Sequence, residues 1–371
     1  MGPSYELTTG CRVKILLIHP GASWSTADVE AGLRYGLETH GVEVIRYRLD
    51  ARIERAGSWL HFAYRKAKKT NPEIPKPSKA DVLYQASSDV LAMALRHQVD
   101  CVLVVSAMCL HPDIIILMKR AGLRVTVLFT ETPYDIAQEL KIAKLVDGCW
   151  TNERSAVDTF KAVNPCTTYL PHGWHPGRHF VSARSISNDI PQHDVVFVGS
   201  GFSERIAWFN AIDWTGIDLG LYGTWKGLGL NAQLRACIKG NQVDNQMASA
   251  LYRRAKIGLN LYRRSMGFGR KAPQIERADS LSPRAYELAA CGAFHISDDR
   301  AEVREVFGDL VPTFRTPNEA ADLIRHWLKD DEARLLVASQ LPACVAESSW
   351  VQRAAGVIGD VQSLLQKAAA A

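Results

Sequence analysis

No apolar run in this sequence is long enough to span a membrane, and the opening MGPSYELTTGCRVK lacks the hydrophobic segment of a signal peptide. Both absences point to a cytoplasmic protein with no stable membrane insertion. Metal-ligand spacing is missing too. The eight cysteines (Cys11, Cys101, Cys109, Cys149, Cys166, Cys237, Cys291 and Cys344) are scattered, with no Cys-x-x-Cys pair and no zinc pattern. In a chain this large they read as reduced, mostly buried thiols. Charge of one sign is scarce: a formal net charge of +5 suits an anionic ligand but does not by itself make a nucleic-acid-binding protein. A complete dinucleotide fingerprint is also absent. The stretch VFVGSGFSER (196–205) supplies Gly199 and Gly201 of G-x-G-x-x-G but has Glu204 where the third glycine belongs. That departure counts against a nicotinamide enzyme, because the third glycine lets the helix close on its strand.

What is present is a globular composition in a chain of 371 residues, which exceeds one typical core and implies two domains. Apolar runs VKILLIHPG (13–21), VEVIRYRL (42–49), DCVLVVSA (100–107), RVTVLFTE (124–131) and GCWTN (148–152) predict strands, with helical stretches such as TADVEAGLRYGLETHG and DIIILMKRAG between them. After CTTYLPHGWHPGRHF the chain turns polar and irregular, which reads as a linker over 181–193. The pattern then restarts with strands predicted at 194–201, 217–223, 256–262 and 293–298, and helices in SERIAWFNAI, MASALYRRA and SPRAYELAACG. Strands alternating with helices mean parallel, doubly wound sheets. The expected architecture is therefore α/β, two Rossmann-like domains over 1–180 and 194–345, and a terminal helix over 346–371 that crosses back. A ligand would lie in a central cleft at the carboxyl ends of the strands.

Several motifs carry chemistry. A strand, a tight glycine turn and a helix start at 196–205 make an anion cradle from backbone N–H groups, and Arg205 adds a fixed positive charge for a diphosphate. In SPRAYELAACGAF (282–294), Arg284 and Glu287 stand three apart on one helical turn, followed by small residues and Gly292. Such a helix start suits a phosphate and a sugar hydroxyl. TETPYD (130–135) ends a first-domain strand where a cleft residue belongs. PHGWHPGRH holds His172, His175 and His179, but Pro171, Gly173, Pro176 and Gly177 break any helix that would align three imidazoles on a metal. Residues 46–79 carry ten Lys/Arg against three Asp/Glu, interleaved with Tyr47, Trp59, Phe62 and Tyr64. That segment is either a surface for a polyanion such as DNA or a solvated amphipathic helix and loop.

The layout R-x-x-E-x-x-A-C-G before an apolar strand resembles the donor site of GT-B glycosyltransferases related to glycosyltransferase family four, in particular the CgeB-like, spore-maturation branch found in bacterial and phage genomes. YLPHG, FVGSGFSER, the YG at 222–223, IGLNLY and SSW-x-x-R follow in the same order, so the resemblance covers most of residues 125 to 355. It implies a glycosyltransferase moving a sugar from a nucleotide-diphosphate donor, with a UDP-sugar favoured, to a hydroxyl acceptor: modified phage DNA, a protein or a small molecule. Transfer would retain the anomeric configuration and need neither metal nor cofactor. By the same resemblance Glu287 holds the ribose hydroxyls, Arg205 and Arg284 neutralise the diphosphate with backbone near Leu281 and Ser282, and the base rests near Tyr222 and Gly223. Gly199, Gly201 and Asn260 complete the donor set. Glu131 is the first candidate on the acceptor side of the chemistry, Asp135 the second, and His172 lines the cleft. The family usually has Glu eight residues before the ribose Glu, where this chain has Asp279. Acceptor contacts are expected from Arg65, Lys66, Lys68 and Lys69. An oxidoreductase or epimerase built on two Rossmann units, and a catalytically silent sugar-nucleotide or DNA-binding protein, remain alternatives.

Overall fold

A computed structural model describes residues 13–21, 26–181, 189–225, 229–241, 243–265, 275 and 277–369. The amino-terminal 1–12 and residues 182–188 of the expected linker lie outside the described residues. Among those described, twelve strands form two six-stranded parallel sheets. The strands are β1 (Lys14–His19), β2 (Glu43–Arg48), β3 (Cys101–Val105), β4 (Arg124–Phe129), β5 (Gly148–Thr151) and β6 (Thr167–Tyr169), then β7 (Val195–Val198), β8 (Leu219–Tyr222), β9 (Ile238–Gly240), β10 (Ile257–Asn260), β11 (His295–Asp298) and β12 (Thr313–Phe314). The first sheet runs β2-β1-β3-β4-β5-β6 and the second β12-β11-β10-β7-β8-β9.

Burial on both faces explains why the central strands read as unbroken apolar runs. Ile15 to Ile18 of β1 and all of β3 are fully buried, as strands must be when helices cover both faces of a parallel sheet. In the second sheet the alternation is legible residue by residue. Val195 and Phe197 pack with Ile206 and Phe209 of the helix Ser203–Asn210 and with Ile324 of the helix Pro317–Trp327. Val196 packs on the other face with Ala248 and Leu251 of the helix Asn245–Arg254 and with Leu288 of the helix Pro283–Ala290. Phe197, Phe209, Trp214 and Trp225 make an aromatic cluster with ring centroids 5.2 to 5.9 Å apart.

The expected doubly wound α/β architecture is the observed one. Three strands were not expected: β6, β9 and β12. All three are two or three residues long and lie at sheet edges, where a strand has a hydrogen-bonded neighbour on one side only.

Two compact units divide the described chain. One holds the residues up to Leu128, Ile142–Cys149 and those from Ala354 on; the other holds Phe129–Lys141 and Trp150–Arg353. The terminal helix Trp350–Ala369 therefore begins in the second unit and belongs to the first from Ala354. None of the seven described cysteines is in a disulfide among the described residues, and Cys101, Cys109, Cys149 and Cys291 are buried. No helix among the described residues is long and apolar enough to cross a membrane.

Candidate functional site

The carboxyl ends of β7 and β10 come together in the second unit, and two arginines cap them. Arg284, one residue inside the helix that Pro283 opens, donates from Nε to the carbonyl of Val198 at 2.8 Å and from Nη1 to Asn260 Oδ1 at 3.3 Å. Arg205, in the first turn of the helix Ser203–Asn210, donates to the carbonyls of Ser200 at 3.0 Å and Leu261 at 2.7 Å. Both guanidiniums lie over the Phe197 ring, at 4.6 and 5.1 Å from its centroid. Neither forms an ion pair among the described residues, and Arg205 Nε has no hydrogen-bond partner. Burial first, and the neighbouring Arg284 second, push the Arg205 guanidinium down to about 9. A buried and a half-buried cation beside each other, neither in an ion pair, are an electrostatic deficit that a bound anion would reduce.

The glycines of this turn are explained by contact. A Cβ on Gly199 would stand 2.6 Å from Arg284 Nη2, so its absence makes room for the guanidinium. Gly223 has φ +126°, and a Cβ there would stand 2.4 Å from the carbonyl oxygen of Gly199. Gly201 yields its side-chain space to the Trp225 indole. Glu204 has a definite task in place of the missing third glycine. It accepts from the backbone of Arg264 at 2.9 Å and of Ser265 at 3.1 Å, and from the Ser265 hydroxyl at 2.6 Å. Burial alone would raise its pKa, but these bonds leave it lowered.

Asn260, fully buried at the end of β10, joins the parts. Its Oδ1 accepts from Ser282 Oγ at 3.2 Å as well as from Arg284, and its Nδ2 donates to Ser297 Oγ at 3.1 Å. Ser282 N donates to the Tyr262 hydroxyl at 3.1 Å, which fixes the entry to the helix Pro283–Ala290. Glu287 lies one turn on, 8% exposed, accepting a long bond from Asn245 Nδ2 at 3.4 Å. Burial raises its pKa, and Arg284 and hydrogen bonds from Asn245 and Tyr252 oppose the rise. Tyr222 is placed differently from a loop residue: its ring is buried and its hydroxyl meets His193 Nε2 at 2.9 Å.

The TETPYD segment belongs to the same unit. Glu131 pairs with Arg263, just past β10, whose guanidinium also lies 3.9 Å from the Tyr134 ring centroid. Tyr134 donates to the Arg263 carbonyl at 2.9 Å. Asp135 is pushed up by burial and then by Glu131. Behind them Glu139 accepts from the backbone of Glu131 at 3.1 Å and from the Thr132 hydroxyl at 2.6 Å, and burial raises it to about 7.

His172 is buried, shares a bond with Asn152 Nδ2 at 3.0 Å, and is held by burial at about 4, a neutral imidazole through the physiological range. Its carbonyl accepts from Arg353 Nε at 3.3 Å. His175 and His179 spend their Nδ1 atoms on the loop itself, accepting from Gly177 N and His175 N at 3.1 Å each. No group of His, Cys, Asp or Glu among the described residues is arranged to hold a metal ion. Asp279 pairs with Arg277, which lowers its pKa, and its backbone N–H donates to Glu153 Oε1 at 3.1 Å.

Arg65, Lys66, Lys68 and Lys69 are in the other unit, at and beyond the end of the helix Asp50–Ala67. All four are exposed and none forms an ion pair among the described residues. Trp59 and Phe62 of the same helix are 59% and 50% exposed, and Lys66 Nζ lies 4.8 Å from the Phe62 ring centroid.

Sequence reasoning missed Arg263, Arg300 and Glu153. Arg300 stacks 3.5 Å from the Tyr262 ring centroid, and the Asp298 carboxylate raises its pKa against the effect of burial. Glu153 accepts from the backbone of Asp279 and Ser280 and from Ser155, fixing the loop that leads into the helix at Pro283. Each of the three stands two or three residues past a strand end, at the edge where a ligand site was expected; that position was the available signal.

With this geometry in place, residues 202–359 match the protein family described as glycosyl transferase-like. No curated protein matches the sequence. Several solved structures share the fold. The α,α-trehalose 6-phosphate synthase of Burkholderia multivorans is 12% identical with a TM-score of 0.58, covering 97% of this chain and 100% of that one. An E. coli trehalose-6-phosphate structure bound with UDP-2-fluoro glucose is 10% identical with a TM-score of 0.60, covering 94% and 98%. A Listeria monocytogenes protein assigned as a UDP-N-acetylglucosamine 2-epimerase is 10% identical with a TM-score of 0.57, covering 96% and 98%. The chain has the GT-B fold, and residues 202–359 within it are similar to the glycosyl transferase-like family.

Proposed function

We propose that this protein is a glycosyltransferase that takes its sugar from a nucleotide-diphosphate donor, a UDP-sugar by preference, and passes it to a hydroxyl acceptor. The observation that carries the reading is the pair Arg205 and Arg284: one buried and one half-buried guanidinium over one phenylalanine ring, neither in an ion pair among the described residues. They suit a diphosphate, and the buried Glu287 one helical turn from Arg284 suits ribose hydroxyls, since a carboxylate accepts from both. The UDP-sugar bound in one structural relative favours uridine.

In the chemical step the acceptor oxygen bonds to the anomeric carbon while the bond from that carbon to the diphosphate oxygen breaks. The diphosphate takes the acceptor proton, and Arg205 and Arg284 stabilise the charge developing on it, so the step needs no metal. Retention of configuration follows from front-face attack, as the resemblance to family four implies. Glu131, held by Arg263, faces the reacting sugar in this reading, and Asp135 is the second candidate for that role. The epimerase among the structural relatives keeps one alternative in view, because a sugar nucleotide would occupy the same arginines.

Calorimetry with UDP, GDP, dTDP and NAD, followed by a donor-hydrolysis assay with UDP-sugars, tests the proposal. UDP binding that Arg284→Met weakens, together with slow release of free sugar, is expected. Preference for NAD would overturn it, and reversible epimerisation without release of UDP would move it to the alternative.

A further inference from the structure

Two glutamates that take no part in the proposed step hold the run of chain that enters the helix Pro283–Ala290. Glu153, two residues past the end of β5, is 2% exposed. Its carboxylate accepts from the N–H groups of Asp279 at 3.1 Å and Ser280 at 3.2 Å. Glu302, in the helix Ala301–Phe307, accepts from the next N–H, that of Leu281, at 2.7 Å, and its own N–H donates to the Asp279 carbonyl at 3.2 Å. The N–H of Ser282 goes to the Tyr262 hydroxyl at 3.1 Å, and Pro283 has none to give. Every amide from 279 to 282 is therefore spent on the protein's own groups, and the chain enters the helix of Arg284 and Glu287 on a fixed course.

Glu153 forms no ion pair among the described residues, so donors alone keep its charge buried: the two loop amides, and the N–H and hydroxyl of Ser155 at 3.1 and 2.6 Å. An apolar side chain would fill such a place at lower cost, so what the charge contributes is geometry, two consecutive amides held by one carboxylate. The main chain of Glu153 reaches in another direction. Its N–H donates to Thr151 Oγ1 at 3.3 Å, the Thr151 hydroxyl donates to Thr132 Oγ1 at 3.1 Å, and the Thr132 hydroxyl donates to Glu139 Oε2 at 2.6 Å. The other oxygen of Glu139 accepts from Glu131 N at 3.1 Å. Both threonines are fully enclosed, and each hydroxyl donates once and accepts once, which fixes the chain of bonds from end to end. One residue thus anchors both the helix that carries Arg284 and the segment that carries Glu131.

We infer that Glu153 is a positioning residue for sugar transfer: its carboxylate sets the loop that presents Arg284 and Glu287 to the donor, and its main chain ties that loop to the segment of Glu131. The inference rests on the glycosyltransferase reading. Glu153 acts only through the groups it holds, and such groups matter because a misplacement of about 1 Å costs about a hundredfold in rate.

Amide-resolved hydrogen exchange on the full-length protein and UDP calorimetry on its variants test this together. The amides of Asp279, Ser280 and Leu281 should exchange slowly in the free protein and no more slowly with UDP, because the clamp is built before the donor arrives. Well below its melting temperature, Glu153→Gln, which leaves one oxygen for two amides, should weaken UDP about tenfold, the worth of one hydrogen bond to a charged group. Glu305→Gln, at the exposed ion pair with the neighbouring Arg154, should leave UDP affinity as it was. In an Arg284→Met background Glu153→Gln should cost less than about twofold, because the group it positions is gone. Where Glu153→Gln does not fold, Glu153→Asp, which keeps the charge but draws the carboxylate back, carries the same expectations. The role is overturned if the three amides exchange rapidly until UDP is added. It is also overturned if a folded variant melts lower yet binds UDP as the parent does, or if the losses from Glu153→Gln and Arg284→Met simply add. A parent with protected amides that binds no UDP would take away the donor reading and this role with it, whereas UDP binding untouched by Glu153→Gln takes away this role alone.

Discussion

Replacing Arg205 by Met separates a ligand-binding role from a structural one, because the two roles predict opposite costs. Burial and Arg284 bring this guanidinium from its ordinary value down to about 9, which at about 1.4 kcal/mol per pH unit makes the charged form cost the fold about 5 kcal/mol. Against that stand two hydrogen bonds from a charged donor, to Ser200 and Leu261, each worth about 1.5–3 kcal/mol. The two sides nearly cancel, so Arg205→Met should shift the melting temperature of the ligand-free protein by only a few degrees. Nucleotide affinity should suffer more. A unit charge about 4 Å from a phosphate is worth about 4 kcal/mol at an effective dielectric constant of about 20. With Arg284 still in place a loss of about 2–3 kcal/mol is expected, a roughly 30- to 150-fold weaker UDP. Calorimetry and thermal unfolding with and without UDP give both numbers. The pH dependence follows from the sign of the shift. The folded state binds the Arg205 proton less tightly than the unfolded state, so this residue's destabilisation is complete below about pH 9 and is relieved as pH rises above it. UDP affinity should fall over that same rise, as the charge that holds the diphosphate is lost. A variant destabilised by more than about 3 kcal/mol that binds UDP normally would show Arg205 to be only a cap on two strand ends, and the diphosphate placement would fall.

Three further outcomes are expected. Glu287→Gln should weaken UDP by about 1–3 kcal/mol, the worth of hydrogen bonds to a charged acceptor, without loss of stability; unchanged calorimetric affinity would remove the ribose from this helix. Glu139→Gln should stabilise the protein by up to about 3 kcal/mol at pH 8 and by little at pH 5. The sign follows from a folded pKa of about 7 that lies above the unfolded one, so stability drains away as pH rises from the ordinary carboxylate range to 7; equal effects at both pH values in denaturant titrations would contradict it. Replacing Arg65, Lys66, Lys68 and Lys69 together by Ala should remove the salt-dependent part of oligonucleotide binding, where log K falls by roughly 0.7 per phosphate neutralised on a single strand for each unit of log salt. Transfer to an uncharged acceptor should be unaffected; a parallel loss there would place the acceptor on the helix Asp50–Ala67 instead.

The fold was legible where physics leaves a one-dimensional trace. Strands buried on both faces, such as Ile15 to Ile18 and Cys101 to Val105, must be apolar throughout, and the helices between them must start and stop in the loops at sheet ends. The three short edge strands leave no such trace, since two or three residues are too few to show a period. Segment 46–79 shows a third case. The helix Asp50–Ala67 lies within it, yet a charge run looks the same whether it is a solvated face or a surface that binds a polyanion, so the pattern alone cannot assign a partner.

The site was legible in its residue types and their position at strand ends, but not in their partnerships. Arg205 and Arg284 stand out in the sequence because each follows a strand-and-turn or helix-start signal. That both lie on the Phe197 ring, and that Gly199 is small for the sake of Arg284, depends on contacts over 80 residues apart. The same distance hides the difference between a matched and an unmatched charge. Glu131 and Arg205 look alike as lone charged residues near strand ends, yet the first is paired with Arg263 and the second forms no ion pair among the described residues. His19 is the extreme case: in the sequence it is one letter in a strand-ending His-Pro-Gly, and only the structure shows its ring buried with no hydrogen bond among the described residues. A missing bond cannot be read from a residue type, because it is a property of everything that surrounds the residue. The candidate residues that carry most weight here are therefore those whose own chemistry remains unspent once every described neighbour has been counted.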